Sequence, residues 1–185
     1  MGLSHVWVAV QGVGREAALE ALGAEPVGPL EPDELPALGL GELPGGWLLV
    51  LSDDLWALER GPLQALTRMG PAVSCLEEEH VMASEARGYR DGEEIWRVIH
   101  NPEDQVEEAS GELPAAYTTL REEAERLDAL YDVGPQLAQS ICGFKLDQDF
   151  PLGLVFTELR SLRRAEAPRS ASRKPGFFQR LFGRK

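Results

Sequence analysis

Cysteine is scarce in this chain. Cys75 and Cys142 are the only two, and they stand far apart, so neither a disulfide framework nor a paired metal-ligand spacing exists. Both sit in apolar surroundings, which makes buried, reduced thiols the expected state. Histidine is also scarce, with three in the chain. Long apolar runs are missing: nothing approaches the roughly 18 residues needed to span a membrane. The opening MGLSHVWVAVQG has no basic region ahead of an apolar run, so no signal peptide is expected. Val6 stands where an N-myristoylation motif wants Ser or Thr. These absences point to a cytoplasmic protein.

Basic residues are rare over most of the chain. Residues 1–159 hold 9 Lys/Arg against 30 Asp/Glu, a balance of −21, whereas residues 160–185 hold 9 Lys/Arg against the single Glu166, a balance of +8. An acidic body repels nucleic acid and anionic membrane, so no nucleic-acid partner is expected for it, and only the tail suits either surface. The 43% apolar and 26% charged composition is that of one globular domain with a core. We expect a single acidic domain over residues 1–162 and a flexible basic tail over residues 163–185.

The patterning predicts an α+β fold: a mixed, partly antiparallel sheet with helices packed mainly on one face. His5–Gln11 is apolar on both sides, as a central strand is. Gly12 and Gly14 then lead into a helix over Arg15–Leu22. These glycines lack the third glycine and the following strand of a dinucleotide fingerprint, so no cofactor is expected. Glu25–Gly45, with five prolines, reads as a surface excursion. Trp47–Leu51 reads as a strand, Leu55–Arg60 and Pro62–Met69 as helix, Gln105–Ser110 as an edge strand, and Ala115–Leu130 as the longest helix, with Tyr117, Leu120, Ala124 and Leu127 inward. Gln136–Cys142 is a further helix. Leu154–Leu159 is either a last strand or the start of a helix.

The stretch Pro71–Asn101 organises the rest. Two strand-forming runs, Ala72–Tyr89 and Glu94–Asn101, meet at Asp91-Gly92, a strong hairpin signal. A tight turn there puts Arg90 opposite Glu93, Arg87 opposite Trp96, Glu85 opposite Val98 and Ala83 opposite His100. Glu77, Glu79, Glu85 and His100 then share a face, with Arg87 stacked near Trp96. Carboxylate beside imidazole is how a general base is built, which makes Glu79 and His100 the catalytic candidates. It is equally how a surface strand looks in an acidic protein. His80 and His100 point to opposite faces, so no metal site is expected. Ser84 lacks a nucleophile elbow, and Cys142 lies within an apolar helix.

The tail has its own pattern. Phe177, Phe178, Leu181 and Phe182 recur at helical spacing among basic residues, beyond a Pro/Ser/Arg linker at Ala165–Pro175. Such a segment suits an anionic membrane surface, a partner groove or an acidic protein surface. Three functions follow. The first is a non-enzymatic interaction module, an immunity-like binder of a basic protein. The second is a hydrolase using a Glu–His pair. The third is a peripheral membrane protein attached through the tail.

The run VSCLEEEHVMASEARGYRDGEEIWRVIHN resembles a family of small uncharacterised bacterial proteins. The shared features are Trp7–Gly12, Glu78–Met82, Ser84 and Ala86, then Gly92, Trp96, Val98 and His100, and the helix ending at Gly143-Phe144. The likeness covers about Val6 to Asp147. It departs at Asp128–Gly134, which is shortened, and at Lys145-Leu146-Asp147, where a histidine before the acid is expected. It implies one cytoplasmic bacterial domain and supplies no mechanism.

Overall fold

The computed structural model describes residues 4–31, 34–54, 58, 61–146, 151 and 153–162. Among them the elements run β1 (Ser4–Gln11), α1 (Arg15–Leu22), β2 (Ala24–Pro29), β3 (Leu38–Leu43), β4 (Trp47–Ser52), α2 (Pro62–Thr67), β5 (Ala72–Glu78), β6 (Ala83–Arg90), β7 (Glu93–Asn101), β8 (Val106–Gly111), α3 (Tyr117–Leu127), a 3-10 turn (Leu130–Asp132), α4 (Val133–Cys142) and β9 (Thr157–Ser161). The strands form one sheet in the order β2-β9-β3-β4-β1-β5-β6-β7-β8.

The class is α+β, as the patterning predicts, but two details differ. Each strand pairing is antiparallel, so the sheet is not mixed. The helices are divided between its faces rather than gathered on one. The doubly apolar β1 explains the division. Trp7 and Ala9 enter a core with Ala124 of α3 and Leu137 and Ala138 of α4. Val8 and Val10 enter a second core with Ala18 and Leu22 of α1 and Leu66 of α2. A strand whose neighbouring residues point oppositely and are all apolar needs a cover on each side.

Residues 25–45 are not a bare excursion, since most of β2 and all of β3 lie there. Pro26 and Pro29 are tolerated because β2 is the sheet's edge, and its register shifts between Pro26 and Gly28. The helix predicted from Ala115 is shorter. It stops at Asp128, which adopts φ 56° and caps the last turn. Leu127 is 60% exposed and does not belong to the inner stripe, whereas Ala124 does. The predicted helix over Leu55–Arg60 lies outside the described residues save Leu58. The late segment forms β9, which slots between β2 and β3.

The hairpin turn is where the sequence puts it. Asp91 (φ 55°) and Gly92 (φ 81°) both take positive φ, as a two-residue hairpin turn of the primed kind requires. Arg90 faces Glu93, but past Tyr89 the register slips by one. Gly88 faces Trp96, Arg87 faces Arg97, Ala86 faces Val98 and Ser84 faces His100. Gly88 explains the slip. A Cβ there would lie 1.9 Å from Trp96 Nε1, so the missing side chain is the space the indole fills. Trp96 is accordingly 4% exposed. The run Ala72–Tyr89 is not one strand either: it folds back through residues 79–82, with Met82 at φ 53°.

Gly88→Ala is therefore expected to destabilise the protein by about 1–3 kcal/mol through overpacking against Trp96. Urea unfolding followed by tryptophan fluorescence checks this; an unchanged midpoint would show that the indole has room to move.

Candidate functional site

Antiparallel pairing lines up one polar row across five strands, on the face that carries α3 and α4. His5 of β1 is the register partner of Glu77 of β5. Glu77 pairs with Ser84 of β6, Ser84 with His100 of β7, and His100 with Glu107 of β8. Two residues further along each strand lies the apolar row Trp7, Cys75, Ala86, Val98 and Ala109. The polar row thus marks where the core ends. Asp53 and Asp54 follow β4 at this end of the sheet, Glu79 and His80 follow β5, and Glu103 and Asp104 follow β7. All three histidines of the chain are gathered there.

The row is held from above by the 3-10 turn. Ser84 Oγ donates to the Tyr131 carbonyl at 2.6 Å. Lys145, 5% exposed, donates from Nζ to Asp132 Oδ1 at 3.2 Å. Glu77 is 3% exposed and accepts a hydrogen bond from Trp7 Nε1 at 3.2 Å. The Trp7 ring meets Phe144 edge-on at 5.3 Å, which sets the chain just before Lys145. Glu77 and Lys145 act with opposite sign on the Cys75 thiol, whose pKa is pushed well up by burial first and by Glu77 next. Burial likewise pushes Cys142 up to about 11. Both thiols are therefore protonated and inert.

At the other end of the row, His100 Nδ1 pairs with Glu107 Oε1. Arg121 of α3 donates from Nη1 to Glu107 Oε2 and from Nε to Glu125 Oε1 at 2.8 Å. Burial raises the Glu107 pKa, but the hydrogen bonds from His100 and Arg121 and their charges outweigh it, and the carboxyl is held below its usual range. This network ties helix α3 to the edge strand β8.

The constellation drawn from sequence is only partly assembled. Glu77 and His100 do share a face, and Glu79 lies in the turn beyond β5. The acid that pairs with His100 is Glu107 rather than Glu79, because β8 lies directly alongside β7. Glu85 is on the opposite face, opposite Leu76 and Ile99, where Arg87 Nε bonds it. The fold-back at residues 79–82 reverses the odd–even rule between β5 and β6. Arg87 is not stacked near Trp96: the slip at Gly88 puts them on opposite faces, and Arg87 Nη1 lies 3.1 Å from Glu94 Oε2. Phe177, Phe178, Leu181 and Phe182 lie outside the described residues.

Sequence reading missed His5, Glu107, Arg121, Tyr131 and Lys145 as members of the site. The lysine carried a signal, since Phe144-Lys145-Leu146 sets an ammonium among core residues. Two members have buried polar atoms without a hydrogen-bond partner, His5 Nδ1 and the Tyr131 hydroxyl. His5 is 8% exposed, and desolvation lowers its pKa against the pull of Asp53, Glu79 and Glu78. Burial, and then Glu77, push the Tyr131 hydroxyl well above its ordinary value.

Ser84, His100 and Glu107 stand in the order of nucleophile, base and orienting acid. Ser84, however, is 1% exposed and its proton is committed to the Tyr131 carbonyl. Among the described residues, no three His, Cys, Asp or Glu side chains converge as a metal site, and no helix is long and apolar enough to cross a membrane. Comparison with models of protein families, with curated proteins and with solved structures finds no match to this chain.

A depressed carboxyl contributes stability that is complete above its unfolded value, near 4.5, and is lost as pH falls through the folded value. Glu107→Gln should thus lower Tm at neutral pH and converge with the wild type in acid. Calorimetry across that range checks it; a constant Tm difference at every pH would remove Glu107 from the acid response.

Proposed function

We propose that the protein is a non-enzymatic interaction module of the bacterial cytoplasm that binds a basic protein partner through the acidic end of its sheet. The supporting observation is the gathering of Asp53, Asp54, Glu78, Glu79, Glu103 and Glu107 where β4, β5 and β7 finish and β8 begins. The bases nearby are engaged, Arg121 with Glu107 and Glu125 and Lys145 with Asp132. A one-signed rim of this kind attracts and orients a cationic surface. Strand β8 adds to it. It is a sheet edge with a continuous six-residue ladder to β7 and no proline, and it carries Glu107 and Glu108. Like charges discourage a second copy from adding to this edge, whereas a basic strand matches it. Small immunity-type proteins offer an analogy for an acidic body that captures a basic partner.

The hydrolase reading has less support. A Glu–His base needs a proton to take, and the serine beside His100 is closed in and already bonded.

Two charge reversals of equal size test the proposal. Asp53→Lys with Glu103→Lys alters the acidic end; Glu16→Lys with Glu93→Lys alters exposed positions at the opposite end. Binding of an arginine-rich peptide, measured by calorimetry at several salt concentrations, should weaken by about tenfold or more in the first variant and much less in the second. Equal weakening would mean that only total charge matters, and the assignment to this end would fall.

A further inference from the structure

We propose that the chain's own C-terminal segment, residues 163–185, docks on the face of β5 to β8 that is turned away from α3 and α4. The segment lies outside the described residues, so the argument starts from the surface that receives it.

The register sets Val6, Leu76, Glu85, Ile99 and Glu108 in one row across β1 and β5 to β8. The row faces away from Trp7, Cys75, Ala86 and Val98, which share a core with α3 and α4. The core under α1 and α2 takes Ala72 from β5 and Tyr89 from β6, and nothing from β7 or β8. Leu76 and Ala83 form a separate small cluster with Val6 and Val81, and Ile99 joins none of the three. Leu76, Glu85 and Ile99 are nevertheless each more than nine-tenths buried. The middle of an open sheet face stands in water, so this burial needs a cover. Arg87 and Arg97 lie over part of it, paired with Glu85, Glu94 and Glu108. They leave Glu85 Oε2 buried with no hydrogen-bond partner among the described residues, a costly state for a carboxylate.

The complement of this face brings apolar side chains to Leu76 and Ile99 and a cationic N–H donor to Glu85. The C-terminal segment has both: Phe177, Phe178, Leu181 and Phe182 recur at helical spacing, with Arg180, Arg184 and Lys185 among them. Nine residues at helical rise extend about 14 Å, the width of four strands about 4.8 Å apart. The segment also starts in the right place. Leu162 N donates to the Gly23 carbonyl at 2.8 Å. Strand β9 pairs Glu158 with Gly39 and runs on past Leu38, and Leu38 continues the row through Ser52 to Val6. From β9 to β6 is five strand spacings, about 24 Å. Residues 163–176 precede Phe177 and reach about 46 Å when extended. Every other stretch outside the described residues is of four residues or fewer. Docked there, the four apolar side chains are withheld from other surfaces.

The test uses the full chain with a nitroxide spin label attached through Gly183→Cys; Cys75 and Cys142 are buried and do not compete for the label. The readout is loss of backbone amide NMR signal near the label. Strong loss at Leu76, Glu85 and Ile99 is expected, with weaker loss at Glu122 and Glu125 on the outer side of α3. Phe177→Ser with Phe178→Ser should restore the lost signals, and Arg180→Ala with Arg184→Ala should restore them in part. Glu85→Gln, which keeps the shape and removes the charge, should match the arginine variant. A sample mixing spin-labelled chain with isotope-labelled chain that lacks the nitroxide tests for a second copy, and little loss is expected in it. No loss at β5 to β7, stronger loss on α3, or loss unchanged by both variants of the segment overturns the proposal. Comparable loss in the mixed sample assigns the face to the segment of another copy and overturns it too.

Discussion

A strand with no solvent-facing side imposes the largest constraint on this molecule. Trp7, Val8, Ala9 and Val10 are each fully buried, so β1 must have a strand on both edges and a layer on both faces. The edges are filled by β4 and β5, and the faces by the two helix pairs. On the face that carries α3 and α4, the polar row begins where β1 ceases to be apolar, at His5. The row His5, Glu77, Ser84, His100 and Glu107 is that boundary written across five strands. Its groups reach one another because side chains on neighbouring antiparallel strands stand closer than most sequence neighbours on one face.

Local patterns revealed the parts of the fold that local physics decides. Alternation and composition gave β1, β4 and the helices α1 and α4, and Asp91-Gly92 gave the hairpin turn. Pairing between distant strands was not legible, because any strand offers the same backbone groups to any other. Glu107 therefore stayed invisible as the partner of His100, although it lies seven positions away. The slip at Gly88 and the fold-back near Met82 each shift side-chain parity by one. Two such shifts were enough to move Glu85 and Arg87 to the wrong face. Proline misled in a different way: Pro26 and Pro29 read as loop because the edge position that tolerates them is a property of the whole sheet.

The histidine environments show how the same residue type is sorted by depth. His80 is exposed in a turn and pairs with Glu78. His100, half-buried, has Glu107 fixed from behind by Arg121. His5 is buried, and desolvation lowers its pKa. Three imidazoles within one end of the sheet thus differ in depth and in partner.

The placement of β9 has a consequence for how the chain can be made. Its two neighbours, β2 and β3, are translated early, yet the strand that joins them is among the last described residues to be synthesised. Until then one flank of β3 has open backbone groups, and β2 has no strand alongside it. Arg160 can meet Glu25 only at that stage. A growing chain can therefore assemble β1, β3, β4 and β5 through β8 before this corner exists, and it closes by insertion between strands already made. Such long-range closure is slow and leaves a sticky flank during the wait. Before residue 157 emerges, the exposed flank of β3 is a strand edge on which another chain can pair.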